Sequence, residues 1–121
     1  MSEDNRVHAE DHYYAGLDHF SEGRYQQAIE EYRQALAIDP AFSDAMHGLA
    51  RAFQDLERYD EAIDIARKLI ELDSDDVLAH ASLSIIFQKK GMIAEAEAEA
   101  NKARILGWKK QLQQQRAQQK R

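Results

Sequence analysis

The chain has 121 residues, of which 44% are hydrophobic and 31% are charged, and this size and balance are typical of one domain with a modest core. Because it contains no cysteine, disulfides, thiolate zinc sites and a cysteine nucleophile are excluded. No window approaches the roughly 18 apolar residues of a membrane span, and the polar first residues show no export signal, so we expect a cytoplasmic location and no membrane partner.

The charge is unevenly distributed along the chain. Residues 107–121 hold five of the 16 Lys and Arg residues and none of the 22 Asp and Glu residues, which leaves 11 bases against 22 acids elsewhere. An acidic body argues against nucleic-acid binding, because affinity for phosphates requires clustered cations. We therefore expect no nucleic-acid partner. The basic C-terminal segment is the one region with the charge to contact RNA, an acidic membrane surface or an acidic protein.

Chemically matched positions recur every 34 residues, three times along the chain. They include two sets of small residues, which are Gly16, Ala50 and Ser84, and Ala28, Ala62 and Ala96. Small side chains at these positions are expected to let two antiparallel helices approach closely. The amphipathic stretches and the turn signals between them predict six helices and no strand. The helices are predicted at 7–21, 25–38, 43–55, 59–72, 77–89 and 93–106.

The period divides the chain into three units with short flanking segments. We expect an N-terminal extension over 1–8, repeats over 9–42, 43–76 and 77–108, and a basic, Gln-rich tail over 108–121. Gly107 is expected to stop the sixth helix. Beyond it, Trp108 and Leu112 fall on one side of a further predicted helix, which we expect to cap the apolar edge of the third unit. A frayed, solvated end and a ligand-binding tail are the alternatives.

The first unit carries the sequence pattern that is most informative about family. Its segment Gly-Arg-Tyr-Gln-Gln-Ala-Ile-Glu-Glu-Tyr contains Ala28 and Tyr32, and Pro40 follows. Together with the 34-residue period, these residues resemble the tetratricopeptide repeat family over residues 9 to about 108. The resemblance implies an all-α, right-handed superhelical solenoid of antiparallel helix pairs. It also implies binding of a protein or peptide on the concave face, which the first helix of each pair lines.

The first helices of the three units place aromatic, aliphatic and polar side chains on that face. We expect a groove lined by Glu10, Tyr13, Tyr14, Leu17, Phe20, Ser21, Asp44, His47, Arg51, Gln54, Asp55, Leu78, Ser82, Ile85, Gln88 and Lys89. Tyr13, Leu17 and Phe20 form an apolar strip that is separate from the core-facing side of the same helix. In the leading interpretation, Tyr13 and Phe20 anchor a ligand and Arg51 pairs with an acidic group of it.

Two alternatives to ligand binding would also account for the apolar strip. Residues 1–8 or neighbouring side chains cover it, or it joins two copies in an isologous homodimer. The second case would make the chain a self-associating assembly module, whereas the leading interpretation makes it an adaptor, scaffold or chaperone-like holder.

Some tetratricopeptide repeat domains bind the C-terminal carboxylate of heat-shock chaperones through Lys and Asn residues on the concave face. The resemblance lets us ask which residues occupy those positions here. They are Tyr13, Leu17, Gly48, Leu78 and Ser82. Because none of these supplies a cation or an amide, we expect no carboxylate clamp for a chaperone tail.

No sequence pattern indicates catalysis, a metal site or a cofactor site. A Gly-rich phosphate loop and a base-activated nucleophile are missing, and the many carboxylates are typical of solvated helix faces. His8 and His12 are spaced four residues apart beside Asp11, but two imidazoles without a clear third ligand are weak evidence for a metal. His12 and His80 occupy equivalent positions and are expected to face the interior with a satisfied hydrogen bond.

Overall fold

The structure is a computed structural model that describes residues 2–120, and within that range it consists of six α-helices without a strand. The helices are α1 (Glu3–Ser21), α2 (Tyr25–Ile38), α3 (Ser43–Asp55), α4 (Tyr59–Leu72), α5 (Val77–Lys89) and α6 (Ile93–Gln119). They form three consecutive antiparallel pairs, so the all-α prediction is confirmed. The bounds of α2, α3, α4 and α5 are those that the sequence predicts.

The first helix begins four residues before its predicted start. Ser2 is its N-cap, and the Ser2 hydroxyl accepts a hydrogen bond of 3.2 Å from the backbone N–H of Asn5. Glu3 and Asp4 lie in the first turn, where acidic side chains interact favourably with the helix dipole. The part of the expected extension from Glu3 onwards therefore belongs to α1 and does not fold back over the concave face; Met1 lies outside the described residues.

The last helix corrects the expectation that Gly107 stops it. α6 continues through Gly107 to Gln119 as one helix of 27 residues. A glycine inside a helix costs only about 1 kcal/mol, and the residues that follow Gly107 are mostly strong helix formers. The expected separate capping helix is therefore wrong for residues 108–120. Trp108 and Leu112 remain 60% and 53% exposed instead of covering the third pair.

Each helix pair closes through a turn that contains one residue with positive φ. Gly23 (φ 75°), Glu57 (φ 60°) and Gly91 (φ 79°) occupy equivalent positions in the three pairs. Glycine adopts this conformation without a steric penalty, whereas Glu57 does so at the expense of some strain. The three turns lie where the sequence predicts them.

Small residues form the contact within each pair, as expected. Ala28, Ala62 and Ala96 are buried, and the Ser84 hydroxyl donates a 2.8 Å hydrogen bond to the carbonyl oxygen of Ala96. Gly16 lies against the ring of Tyr32, which is 1% exposed. A Cβ at Gly16 would be 2.5 Å from Tyr32 Cε1, so this contact requires glycine.

The first and third repeats each contain a hydrogen bond between a histidine and a glutamate. This pair is partly exposed in the first repeat and largely buried in the third, and it is absent from the middle repeat. His12 Nδ1 lies 2.8 Å from Glu31 Oε2, and His80 Nδ1 lies 2.6 Å from Glu99 Oε2. His80 also hydrogen-bonds the carbonyl oxygen of Ser74 at 2.9 Å. Both histidines have the expected hydrogen-bond partner, but only His80 is buried as predicted, since the side chain of His12 is 34% exposed. One period away, the equivalent positions are held by two residues of an apolar cluster, Met46 and Ile65.

The helices form two layers of unequal spacing. Backbone positions of α3 lie within 8 Å of those of α1 and of α5, whereas within residues 2–120 no two of α2, α4 and α6 approach each other that closely, measured between Cα atoms. The layer of first helices is therefore the tighter one, and the array curves towards it. α1, α3 and α5 line the concave side of a helical-repeat solenoid.

Candidate functional site

An open depression lies on the concave side between α1, α3 and α5. Its volume is about 360 Å³, within the usual range for a ligand site, and its lining is mainly apolar. The lining residues are Tyr13, Leu17 and Phe20 from α1, Asp44, His47, Gly48 and Arg51 from α3, and Leu78 and Ser82 from α5. All three repeats contribute, so its shape depends on their stacking.

The aromatic wall of the depression is held by neighbouring aromatic rings, of which Tyr32 belongs to the core. The centroid of the Tyr13 ring lies 5.2 Å from that of Phe42 and 6.1 Å from that of Tyr32, and the Phe20 ring packs edge-on at 5.2 Å from Tyr25. Such contacts fix both rings before any ligand arrives. Burial raises the pKa of Tyr13, and the nearby Asp44 carboxylate raises it further, so Tyr13 presents a neutral phenol.

The aliphatic part of the depression is less covered than the aromatic part. Leu17 is 39% exposed and Leu78 is 57% exposed, although both are apolar and line the same concavity. The three residues of the strip, Tyr13, Leu17 and Phe20, thus differ in how far the fold covers them. Tyr13 and Phe20 pack partly against the core, and Leu17 stays open.

The charged groups of the depression are mostly engaged with neighbours. Arg51 Nε donates to Asp55 Oδ1 at 3.3 Å, and His47 Nε2 hydrogen-bonds Asp76 Oδ2 at 2.9 Å. The other oxygen of Asp76 accepts from the backbone N–H of Ala79 and so caps α5. Asp44 differs from these groups, since it makes no salt bridge with any residue from 2 to 120. Among residues 2–120, the depression therefore offers an apolar floor and one carboxylate without a salt bridge.

The repeat register shows how this polarity arises. Tyr13 and Phe42 of the first repeat stand at the positions of His47 and Asp76, one period later. A ring contact at the first junction is thus replaced by a hydrogen bond at the second. The groove consequently changes from an aromatic end at α1 to a polar middle at α3.

The structure brings together only part of the predicted groove. Gln54 departs most from expectation: its side chain is buried at 8% exposure and is not available to a ligand. Glu10 and Asp55 are half-buried and do not line the depression. The remaining predicted residues lie outside it and are exposed: Tyr14, Ser21, Ile85, Gln88 and Lys89.

Gly48 lines the depression but is not in the predicted groove. A Cβ at Gly48 would lie 2.6 Å from Tyr32 Cζ, so the ring behind the groove requires glycine here and keeps the floor open. The sequence offers one hint, because Gly48 is the only glycine inside the third helix. The requirement for glycine, however, comes from a contact with Tyr32 on a different helix, α2.

Neither a group of metal-ligating side chains nor a membrane-spanning helix is found among residues 2–120. No group of three or more His, Cys, Asp or Glu side chains within 2–120 is arranged to hold a metal ion. Across the same residues, no helix has the length and apolar content to cross a membrane.

Comparison with known sequences places the fold among helical repeats. The family model described as tetratricopeptide repeat matches residues 19–86. A curated relative is the small glutamine-rich tetratricopeptide repeat-containing protein 2 of Mycosarcoma maydis, with 36% identity over 76 residues. The match covers 62% of this chain and 19% of that protein, so the chain corresponds to about a fifth of the relative's length.

Solved structures show the same architecture. The second TPR domain of Spaghetti (RPAP3), bound to the HSP90 peptide SRMEEVD, superposes with a TM-score of 0.79 at 27% identity, over 85% of this chain and 95% of that one. MamA superposes with a TM-score of 0.81 at 27% identity, over 84% and 60%. The type III secretion translocator chaperone SycD of Yersinia enterocolitica shares the fold, with a TM-score of 0.81 at 23% identity over 87% and 80%.

Proposed function

The chain belongs to the tetratricopeptide repeat family, and we propose that it is a protein–protein interaction module whose concave groove holds a peptide or a segment of a partner protein. The observation that carries this proposal is the depression between α1, α3 and α5, which keeps Leu17 and Leu78 open beside rings already fixed by the core. Open apolar side chains on a rigid, concave frame favour ligand binding over catalysis.

The charges of the groove favour a ligand with apolar side chains and a cation. Arg51, the one cation that lines the depression, already has Asp55 as a partner, whereas Asp44 has none among residues 2–120. An acidic ligand would have to displace Asp55 and approach Asp44. A ligand with Lys or Arg next to an apolar residue would pair with Asp44 and cover Leu17.

Chaperone tails are therefore poor candidates as ligands. The domain of Spaghetti (RPAP3) binds an acidic HSP90 peptide, but here the corresponding clamp positions hold Tyr13, Leu17, Gly48, Leu78 and Ser82. We expect the peptide SRMEEVD to show no saturable binding to this chain by isothermal titration calorimetry. Micromolar affinity would contradict the charge argument while leaving the groove itself in place.

The proposal is tested by affinity capture from source lysate with matched variants. Leu17→Glu/Leu78→Glu places two charges in the depression. The control Leu72→Glu/Ile93→Glu places the same charges at two exposed apolar residues outside it, which are 51% and 52% exposed. Circular dichroism verifies that both variants remain helical. The groove variant should lose proteins that the wild type and the control both retain. Identical captures by all three would contradict the proposal.

A further inference from the structure

The last turns of α6 form a surface that the groove function leaves unused. We call residues 107–120 the α6 tip. Ile105 at its base, Trp108 and Leu112 are 58%, 60% and 53% exposed, and they share one side of the helix. Their spacing of i, i+3 and i+7 is that of the apolar anchors with which a helix enters a groove. The tip thus has the form of a ligand rather than of a receptor.

A further repeat is not the natural occupant of this surface. Leu69 and Ile70 of α4 pack with Ala79, through which α4 receives the next repeat. One period later, α6 carries Ala103 and Arg104 at those positions. The α6 face equivalent to the stacking face of α4 is therefore small and charged. The exposed strip of the tip lies on another side of the helix.

Charge argues against pairing between two tips and for pairing with the body of the molecule. The tip carries Lys109, Lys110, Arg116 and Lys120 and no acid, so two tips repel each other. Lys109 makes only an exposed contact of 3.7 Å with Asp75. Residues 1–106 hold 22 acids and 11 bases. A partner of opposite charge with an open apolar floor is what the strip requires.

The concave groove meets this requirement. It presents Tyr13, Leu17 and Leu78 as an apolar floor and Asp44 as a carboxylate without a salt bridge in residues 2–120. The tip does not reach the groove of its own chain, because α6 is an uninterrupted helix in the outer layer and residues 108–120 are all exposed. The groove of a second copy is subject to no such restriction.

We propose that the chain self-associates head to tail, with the α6 tip of one copy bound in the concave groove of a second copy. The inference rests on the proposed function, since it uses the same groove, and it names a second copy of this chain as one partner. The contact is heterologous, so a dimer keeps a free groove on the copy whose tip is bound and a free tip on the copy whose groove is filled. Other ligands of the groove would compete with assembly.

Complementation between two full-length variants tests this arrangement. Trp108→Glu/Leu112→Glu places charges in the apolar strip of the tip and leaves the groove intact. Leu17→Glu/Leu78→Glu places charges in the groove and leaves the tip intact. Each variant alone should be monomeric by light scattering at concentrations where the wild type associates. The dissociation constant for its self-association should be at least about tenfold higher than that of the wild type. Mixed together, they should form a 1:1 dimer that grows no further, because the one intact tip fills the one intact groove.

The single tryptophan supplies an independent signal. In the mixture only the groove variant contains Trp108, so its fluorescence should shift to shorter wavelength as the tip becomes buried. Raising the ionic strength from about 0.1 M to about 1 M should weaken the dimer, because it shortens the screening length about threefold. A shift that is equally present in the groove variant alone and independent of concentration would mean that the tip folds onto its own chain, and would overturn the proposal.

Two further outcomes would overturn the inference and separate it from the proposed function. A wild-type chain that stays monomeric at all accessible concentrations, or a mixture of variants that fails to dimerise while the wild type associates, excludes head-to-tail docking. If the groove variant still loses captured proteins in either case, the groove binds other partners and the proposed function stands alone. If the groove variant loses no captured proteins, both head-to-tail docking and the proposed function are contradicted.

Discussion

The junction between the first two repeats and the α6 tip contain similar side chains in opposite surroundings. At the junction, the Tyr32 ring is 1% exposed, lies against Gly16 and Gly48, and has Tyr13 packed over it. At the tip, Trp108 is 60% exposed. Both regions are helical and both place large apolar groups at helical spacing. The difference is whether a neighbouring helix supplies glycine or another small residue against which the large side chain can pack.

This difference divides the chain into a part that holds the fold and a part that is free to bind. The rings of the junction stabilise the stacking of α1 to α3 and shape the groove at the same time. The side chains of the tip are expected to contribute almost nothing to the stability of the monomer. Contact with another molecule therefore accounts for their exposure better than folding does.

Truncation of the two large side chains should give the largest contrast. Tyr32→Ala should lower the free energy of unfolding by about 3–5 kcal/mol, because it leaves a cavity at the centre of the junction. Trp108→Ala should change it by less than about 0.5 kcal/mol, because the side chain is exposed. Urea unfolding at low protein concentration, followed by circular dichroism, measures both. A comparable loss from Trp108→Ala would show that the tip is part of the core.

Two glycines in helices sharpen the comparison with a smaller effect of opposite sign. Gly16→Ala should destabilise the fold by about 1–3 kcal/mol, because the added Cβ would meet the Tyr32 ring. Gly107→Ala should stabilise it by up to about 1 kcal/mol, because nothing lies within 4 Å of the added Cβ and alanine is the better helix former. The same unfolding measurement applies. Equal effects at the two sites would contradict the packing described for Tyr32.

Alkaline pH probes the junction alone. Burial, with a smaller contribution from the neighbouring Tyr13, raises the pKa of Tyr32 to about 12, whereas an unfolded tyrosine ionises near about 10. The folded state thus holds the phenolic proton more tightly, so its contribution to stability is complete below about pH 10 and is lost as pH rises towards 12. Tyr32→Phe should flatten this fall in urea-unfolding stability. If stability falls with pH as steeply in Tyr32→Phe as in the wild type, the alkaline transition is due to groups other than Tyr32.

Much of the fold is predictable from the sequence because its signals are local and repeated. The three turns are marked by Gly23, Glu57 and Gly91, and the bounds of the four middle helices follow from the amphipathic pattern between them. The buried pairing of His80 with Glu99 is anticipated in part, since a histidine on a core-facing position needs a partner. Because the pattern repeats, the helices and turns predicted in one unit can be compared with those predicted in the other two.

The remaining features depend on contacts between helices that the period does not specify. The sequence does not show that Gln54 is buried, or that Gly48 clears space for Tyr32 on the floor of the groove. The end of α6 is mispredicted for a different reason. A glycine signals a helix stop when the chain turns there, but Gly107 is followed by helix formers and remains helical.

The central claim is that the face lined by α1, α3 and α5 is where the chain meets its partners. Photo-cross-linking tests it directly, with a photoreactive amino acid placed at Leu78 in the groove or at Leu72 on α4, two leucines of similar exposure. We expect discrete cross-linked partners from position 78 and none of these from position 72. The same partners in equal yield from both positions, or from position 72 alone, would contradict the claim.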